Sequence, residues 1–209
     1  MVKNLVIVGA GHLALDVYEM IQNINRDGNL WNIRGFLSDV EIDLTSEGIQ
    51  EPILGPIHGW NPRADEEYFL AIGDVIAKER IADEMKAGGA KFATLISRRA
   101  SVSASASVGE GTMIIGNCQI GRKVSIGKFC IIGDSTMAPH SSIGDYSNTA
   151  SYANVYQDVT VGSHVQIWSH AVILKDVEDY AVVGAGSVVV KKVKAGTKVF
   201  GCPAKKIEL

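Results

Sequence analysis

Residues 119–133 read Gln-Ile-Gly-Arg-Lys-Val-Ser-Ile-Gly-Lys-Phe-Cys-Ile-Ile-Gly, so an aliphatic residue followed by glycine recurs every six positions. A helix needs a period of 3.6 and an ordinary two-sided strand a period of 2, whereas six fits three short strands per coil with one aliphatic side chain of each pointing inward. Glycine at one fixed phase predicts a corner with positive φ. The period runs through Val102, Val108, Ile114, Ile120, Ile126 and Ile132, resumes after a slip of one residue at Ile143, Thr149, Val155, Val161 and Ile167, and after a second irregularity continues at Val177, Val183 and Val189.

The first 96 residues follow a different pattern, in which buried strands alternate with amphipathic helices. An apolar run over residues 4–8 enters the turn Gly9-Ala10-Gly11, and residues 12–25 and 76–87 have helical spacing. Further buried strands are predicted at residues 34–37, 68–72 and 92–96. This order predicts a small α/β unit with a Rossmann-like parallel sheet.

Composition excludes several classes of function. The 209 residues are 46% apolar and carry a formal charge of −3, which argues against disorder and against a global basic field for nucleic acid or an anionic membrane. No apolar stretch is long enough for a membrane span or a signal peptide, so we expect a cytoplasmic protein. The three cysteines, Cys118, Cys130 and Cys202, lack the spacing of a zinc site or a disulfide framework, so we expect small apolar residues and no bound metal.

The hexads and the ending Val199-Phe-Gly-Cys-Pro-Ala-Lys-Lys-Ile207 resemble the hexapeptide-repeat acyltransferases. With the α/β unit in front, the whole chain resembles the sialic acid O-acetyltransferase and bacillosamine N-acetyltransferase type of sugar acyltransferase. The resemblance implies a nucleotide-sugar-binding domain at residues 1–96, a left-handed parallel β-helix at 97–194, and a basic tail at 195–209 that packs on the last coils. It also implies a homotrimer that transfers an acetyl group from acetyl-CoA to an amino or hydroxyl group of a nucleotide-linked sugar in surface glycan biosynthesis.

His140, within Ala138-Pro-His-Ser-Ser-Ile-Gly144, is the candidate general base, because acyl transfer to an amine or hydroxyl needs a base near neutrality. In the resembling family the catalytic histidine precedes an acid and, two or three residues later, Ile-Gly. Here Ser141 replaces the acid and the spacing is one residue shorter, so a rigid alignment on Ile-Gly places Pro139 at the position of the base. Asp158 follows His140 by 18 residues, one full coil, and is expected either to orient the imidazole or to be a solvated corner acid.

Candidate cofactor residues come from the resemblance and from a basic tail. A second family histidine, which contacts the acetyl-CoA end of the site, corresponds to Asn148. Family members lay the cofactor beside stretches such as Gly184-Ala185-Gly186. Six of the 20 basic residues fall in the last 19 positions, and lysines bind phosphates as mobile point charges, so Lys191, Lys205 and Lys206 are expected to contact coenzyme A unless they form only a solvated surface.

Candidate substrate residues lie in the α/β unit. Gly9-Ala-Gly11-His-Leu-Ala14 fits G-x-G-x-x-A after a strand, and the amides of the following helix could hold a diphosphate. A nicotinamide site also needs an acid about 20 residues on, and Asp39 lies later than that. The resemblance implies nucleotide-sugar binding instead, through the residues Gly9, Gly11, Asp39, Gly73 and Asp74.

Three other histidines are candidates for the base only if His140 is a corner residue without a catalytic role. His164 and His170 share one phase and are expected to point outward as surface or subunit-contact residues. His58 lies in a turn-rich loop and is expected either to contact a ligand or, as is usual for such a residue, to be solvated. Two alternatives stay open beside the acetyltransferase. One is a β-helix binding or scaffold protein that has lost catalysis, which Ser141 and Asn148 favour. The other is a nicotinamide-dependent enzyme that uses the first domain.

Overall fold

The computed structural model describes residues 2–26, 28 and 30–208, and the chain divides into two compact units between Ala93 and Thr94. The first unit holds one parallel sheet and two helices. The second unit holds only short strands. Among the described residues, neither helix is long and apolar enough to span a membrane.

The first unit is a five-stranded parallel sheet with the strand order β3-β2-β1-β4-β5. Its elements are β1 (Lys3–Val8), α1 (His12–Asn25), β2 (Trp31–Leu37), a one-turn 3₁₀ helix (Thr45–Glu47), β3 (Ile53–Gly55), β4 (Glu66–Leu70), α2 (Val75–Ala87) and β5 (Lys91–Phe92). The chain moves outward from β1 in both directions, so the order reverses between β1 and β4. In open α/β sheets ligands bind at such a switch point, outside the carboxyl ends of the strands.

The predicted α/β pattern is confirmed, with two differences. The pattern missed β3, a three-residue strand at Ile53–Gly55 without a long apolar run. The strand predicted over residues 92–96 is wrong, because the sheet ends at Phe92. Leu95–Ile96 is instead the first strand of the second unit, where the Leu95 amide donates to the carbonyl of Thr112.

The second unit is a parallel β-helix with three faces, which the chain visits in order once per coil. The first face comprises Leu95–Ile96, Met113–Ile114, Ile131–Ile132, Asn148–Thr149, Gln166–Ile167, Val182–Val183 and Lys198–Phe200, with Lys205–Lys206 added antiparallel. The second face comprises Ser101–Val102, Gln119–Ile120, Thr136–Met137, Asn154–Val155, Val172–Ile173 and Val188–Val189. The third face comprises Ser107–Val108, Ser125–Ile126, Ser142–Ile143 and Thr160–Val161, and isolated bridges extend it to Val177 and Val193.

The coils are numbered from the first-face strand that begins each one, so coil 1 starts at Leu95 and coil 6 at Val182. The first corner joins the first and second faces, the second corner joins the second and third, and the third corner returns to the first face. The second residue of almost every strand points inward and stacks on its counterpart one coil away. Cys118 and Cys130 fill inward corner positions of this core as predicted, whereas Cys202 is exposed.

The glycines of the hexads have a different role from the one predicted. Positive φ occurs two residues after them, at residues such as Lys123 and Phe129, and Gly109 and Gly127 themselves have no positive φ. A Cβ atom on Gly109 would lie 2.5 Å from the carbonyl oxygen of Gly127 in the next coil. Glycine is therefore required because adjacent coils approach too closely for a side chain.

The breaks in the period are located differently from the prediction. The slip of one residue falls between Ile132 and Met137, in the first corner of coil 3, so His140 lies in a second corner of full length. In coils 5 and 6 the second corner is two residues shorter than the others, because the inward positions Ile173 and Val177 are only four residues apart.

Candidate functional site

His140 occupies the tip of the second corner in coil 3. Its φ is 63°, a left-handed conformation that is uncommon for a residue with a side chain, and its amide donates to the carbonyl of Arg122 at 2.9 Å. The imidazole is exposed. Ser141, which replaces the acid of the family motif, is buried, and its hydroxyl donates to the carbonyl of Ala138 at 2.7 Å. Ser141 therefore closes the corner and is not available to the imidazole.

Asp158 lies at the equivalent position of the next coil. The pairing of Met137 with Val155 and of Ile143 with Val161 places His140 and Asp158 in register, and the φ of Asp158 is 57°. Paired strands lie about 4.8 Å apart, so the two side chains share one edge of the helix. Lys123 holds the same position one coil below His140. Within the part of the chain that the structure describes, no hydrogen bond joins the His140 and Asp158 side chains; an Asp158 carboxylate oxygen accepts from the Gln157 amide at 3.4 Å.

The second corner is shorter above Asp158. In coils 5 and 6 only three residues separate its inward positions, and none of them has the left-handed φ of His140 and Asp158. This shortening is called the step. Tyr156, Leu174 and Val190 follow the inward residues of coils 4 to 6 and form a partly exposed apolar column beside the step. The exposed Lys191 follows Val190, three coils or about 14 Å above His140.

The predicted cofactor residues fall into separate groups. Gly184, Ala185 and Gly186 form the first corner of coil 6, and the end of the chain packs there, because the Ala204 amide donates to the carbonyl of Val188 at 2.8 Å. Lys205 pairs with Phe200 and Lys206 with Val199, so both lysines lie at this end of the first face. Asn148 lies on the first face two coils below, and Lys191 lies on another corner.

The α/β unit brings the predicted substrate residues to one edge of its sheet. Gly9 and Gly11 follow β1, Asp39 follows β2, and Gly73 and Asp74 follow β4, so all five lie at the carboxyl ends of neighbouring strands. Gly9 has a φ of +107°, and a Cβ atom there would lie 2.9 Å from the carbonyl oxygen of Ala71. Gly11 precedes α1 without a side-chain cap, which leaves amides of its first turn for an anion.

Both acids at this edge also have structural partners. Asp74 caps α2, and its Oδ1 accepts from the amides of Ile76 at 3.1 Å and Ala77 at 2.7 Å. Asp39 Oδ1 accepts from the amides of Ile57 at 2.8 Å and His58 at 3.2 Å. The second oxygen of Asp39 takes part in neither bond. The carboxylates therefore shape the edge as well as giving it negative charge.

Two histidines differ from their predictions. His164 does not point into solvent: it is buried in a column of rings at the third corner, stacked on Tyr146 at 5.3 Å and on Tyr180 at 4.6 Å between ring centroids. Aromatic neighbours at the same phase of adjacent coils cover it, which a single-residue pattern does not show. His58 is not merely solvated, because its Nδ1 lies 3.0 Å from Glu84. His170 is exposed as predicted and stacks on Tyr152.

None of the cysteines has the surroundings of an acyl-carrying nucleophile. Cys118 and Cys130 are fully buried in the β-helix core, and burial raises the pKa of the Cys118 thiol. The thiolate, which is the reactive form, is thereby disfavoured. Cys202 is exposed but lies beyond coil 6, whereas His140 is in coil 3.

Comparison with known proteins reveals relatives in structure only. No family model matches the chain, and no curated protein matches its sequence. The acetyltransferase domain of PglB from Neisseria gonorrhoeae superimposes with a TM-score of 0.87 at 21% identity, over 98% of this chain and 100% of that domain. A variant of perosamine N-acetyltransferase from Caulobacter crescentus, in complex with CoA and GDP-perosamine, superimposes with a TM-score of 0.87 at 21% identity, over 100% of this chain and 98% of that chain. WeeI from Acinetobacter baumannii superimposes with a TM-score of 0.72 at 20% identity, over 98% of this chain and 100% of that chain.

The chain has the fold of these three proteins. The likeness covers both units and 98–100% of each neighbour, and it confirms the predicted fold class, an α/β unit followed by a left-handed parallel β-helix. The left hand is opposite to the usual crossover rule for parallel strands, so the resemblance, and not the spacing, was needed to predict it.

Proposed function

We propose that this protein is an acetyl-CoA-dependent acetyltransferase that acts on an amino or hydroxyl group of a nucleotide-linked sugar, in surface glycan biosynthesis. The observation that carries the proposal is the exposed His140, which has a left-handed backbone conformation at the tip of its corner and has Asp158 in register one coil above. The neighbours of this fold include a structure with acetyl coenzyme A and another with CoA and GDP-perosamine. His140 on the β-helix suits a reaction with acetyl-CoA, and the predicted substrate-binding edge of the α/β unit suits a nucleotide-linked sugar.

His140 is assigned the role of general base. Its imidazole accepts the proton of the acceptor amine or hydroxyl as that group attacks the thioester carbonyl, and it returns the proton to the departing thiolate. Asp158 is assigned the positioning of the imidazole and the stabilisation of its protonated form. A backbone N–H near the corner supports the negative charge on the carbonyl oxygen. Transfer is direct, because the cysteines offer no suitable nucleophile.

The side chains along the step above Asp158, and the distance they span, suit acetyl-CoA. The apolar column of Tyr156, Leu174 and Val190 suits the pantetheine arm, and Lys191 suits a phosphate at the upper end. Lys192 is already paired with Glu178 at 2.7 Å, whereas Lys191 is an exposed cation of the same corner in coil 6. Gly184–Gly186 lie on the first corner, and Lys205 and Lys206 lie at the end of the first face. These residues are assigned to the cofactor of a neighbouring copy.

We expect a homotrimer from this division. His140 lies on the second corner and Gly186 on the first corner, so the two are assigned to acetyl-CoA molecules at different sites of the assembly. In a cyclic trimer the second corner of one copy faces another corner of the next, and each site is completed by two chains. Multi-angle light scattering should give three times the 22.3 kDa chain mass. A monomer at micromolar concentration would exclude shared sites.

The function is tested by incubating the protein with acetyl-CoA and a set of nucleotide-linked amino sugars while free thiol is measured. The exposed Cys202 contributes a constant background, so each reaction is paired with one lacking the sugar. Sugar-dependent thiol release is expected with at least one member of the set. The alternative, a scaffold without catalysis, predicts no release and no saturable acetyl-CoA binding by calorimetry.

A further inference from the structure

A histidine lies between two carboxylates at the edge of the α/β unit. His58 Nδ1 is 3.0 Å from Glu84 Oε2, and His58 Nε2 is 3.8 Å from Asp39 Oδ2. Glu84 belongs to α2 and Asp39 follows β2, so the imidazole joins two elements. All three side chains are partly exposed, which allows protons and ligands to reach them.

The loop that carries His58 is tied to both carboxylates by its backbone. The Trp60 amide donates to the carbonyl of Ile57 at 3.3 Å, and Gly59 has a φ of +73°, as the third residue of a type II turn requires. The Gly59 amide donates to Glu84 Oε1 at 3.0 Å, and the amides of Ile57 and His58 donate to Asp39 Oδ1. The backbone of this loop is therefore held in place whatever the charge of the imidazole, and Oδ2 of Asp39 is left for another donor.

The charge of His58 determines whether its Nε2 can donate a hydrogen bond to Asp39 Oδ2. An ionised carboxylate only accepts hydrogen bonds, so Nδ1 carries the proton that points at Glu84. In the neutral imidazole Nε2 is then a second acceptor, and 3.8 Å from Oδ2 is too long for a hydrogen bond. In the protonated imidazole Nε2 is a donor, and closing to about 2.8 Å forms a charge-assisted bond that occupies Oδ2.

We propose that His58 is a positioning residue whose protonation withdraws Asp39 Oδ2 from a bound nucleotide-sugar. The inference rests on the proposed function, because Asp39 lies among the residues assigned to that ligand. With neutral His58, Oδ2 accepts a hydrogen bond from the ligand. With protonated His58, the imidazole competes for the same oxygen, so binding releases a proton and affinity falls as the pH falls.

The charged groups that face His58 come from the end of β2 and from α2. Asp39 faces it from the end of β2, and Glu84 faces it from α2, where Arg80 lies near Glu84. The Gly59 amide, and then His58, lower the pKa of Glu84, which favours its ionised form. His12, on the first turn of α1, also lies at this edge of the sheet.

The experiment is calorimetric titration with UDP-N-acetylglucosamine and GDP-mannose at about pH 8 and about pH 6, the range in which histidine changes charge. These diphosphate diesters do not titrate there. For whichever probe binds, the wild-type Kd should rise roughly tenfold at the lower pH, whereas His58→Gln should remove that rise. Glu84→Gln should give a smaller rise than wild type, because the imidazolium loses one carboxylate. His170→Gln, a matched exposed histidine of the second unit, should behave as wild type.

The outcomes separate the inference from the function on which it rests. His12 is present in both wild type and His58→Gln, so their difference isolates His58. Equal pH dependence in the two proteins overturns the switch alone. Absence of binding by both probes to wild type at pH 8 overturns the nucleotide assignment and the switch together.

A measurement without ligand guards against a variant that fails to fold. In ¹H–¹⁵N spectra of the wild-type protein, the amides of Ile57 and His58 should shift with the same midpoint as the imidazole, because both donate to the Asp39 carboxylate that moves. Amide signals that do not change over this range would also overturn the proposal.

Discussion

Replacing Gly109 with alanine tests whether the hexad glycines are required by the close approach of coils. The new Cβ atom would lie 2.5 Å from the carbonyl oxygen, 2.6 Å from the carbonyl carbon of Gly127, and 2.7 Å from the amide nitrogen of Lys128. Ordinary van der Waals contact begins at 3.4 Å. All three neighbours are backbone atoms, so no side chain can rotate away and the coils themselves must separate.

The expected cost lies at the upper end of what overpacking causes. We expect Gly109→Ala to lower the free energy of unfolding by about 3 kcal/mol, because separating the coils also strains the hydrogen bond from the Gly109 amide to Ile126. For a chain of this length that corresponds to a fall in Tm of roughly 6–12 °C. Gly186→Ala is the matched control: its φ is +66° and its Cβ would have nothing within 4 Å, so only the conformational cost of about 1–2 kcal/mol applies.

Differential scanning calorimetry of the two variants beside wild type separates the explanations. The structure predicts that Gly109→Ala melts below Gly186→Ala. If Gly186→Ala is the less stable variant, the glycines serve backbone conformation, as the hexad pattern alone suggested, and the steric account is wrong.

Two further predictions concern charge. Lys205→Glu combined with Lys206→Glu should raise KM for acetyl-CoA roughly fivefold to thirtyfold and leave kcat unchanged, because a charge remote from the reacting atoms affects the ground state and the transition state alike. Lys91→Glu, in the first unit, is the control. An unchanged KM in the double variant would show that these lysines form only a solvated surface. The pKa of Glu84 is lowered from 4.5, so the stabilisation it gives is present above pH 4.5 and is lost as the pH falls through the lower folded value. Acid unfolding of Glu84→Gln should therefore depend less on pH below 4.5 than that of wild type, and identical curves would contradict the assigned contacts.

Much of the fold could be predicted because the hexad period acts at every coil. Each aliphatic position such as Ile120 or Ile126 has one geometric role, so a run of them leaves little choice of architecture. The boundary was misplaced by one strand because Phe92 and Leu95 are both buried apolar residues. Which sheet each joins depends on pairing partners far along the chain, and a local pattern does not contain them.

The register of the candidate catalytic residues was predictable, whereas the surroundings of the other histidines were not. His140 and Asp158 could be placed together because 18 residues equal one coil. The position of the slip decided whether His140 lay in a shortened corner, and only the pairing of Met137 with Ile120 and Val155 located it. The environments of His58 and His164 depend on Glu84 and Tyr180, which are distant in sequence and became neighbours only through folding.

The central claim is that His140 is the general base, and kcat of His140→Ala on a sugar confirmed by thiol release tests it most directly. The expected result is a fall of about 10²–10⁴-fold, the usual contribution of a positioned proton acceptor, with unchanged acetyl-CoA affinity and Tm. His170→Ala, which removes another exposed corner histidine, should keep wild-type kcat. A kcat of His140→Ala close to wild type would contradict the account.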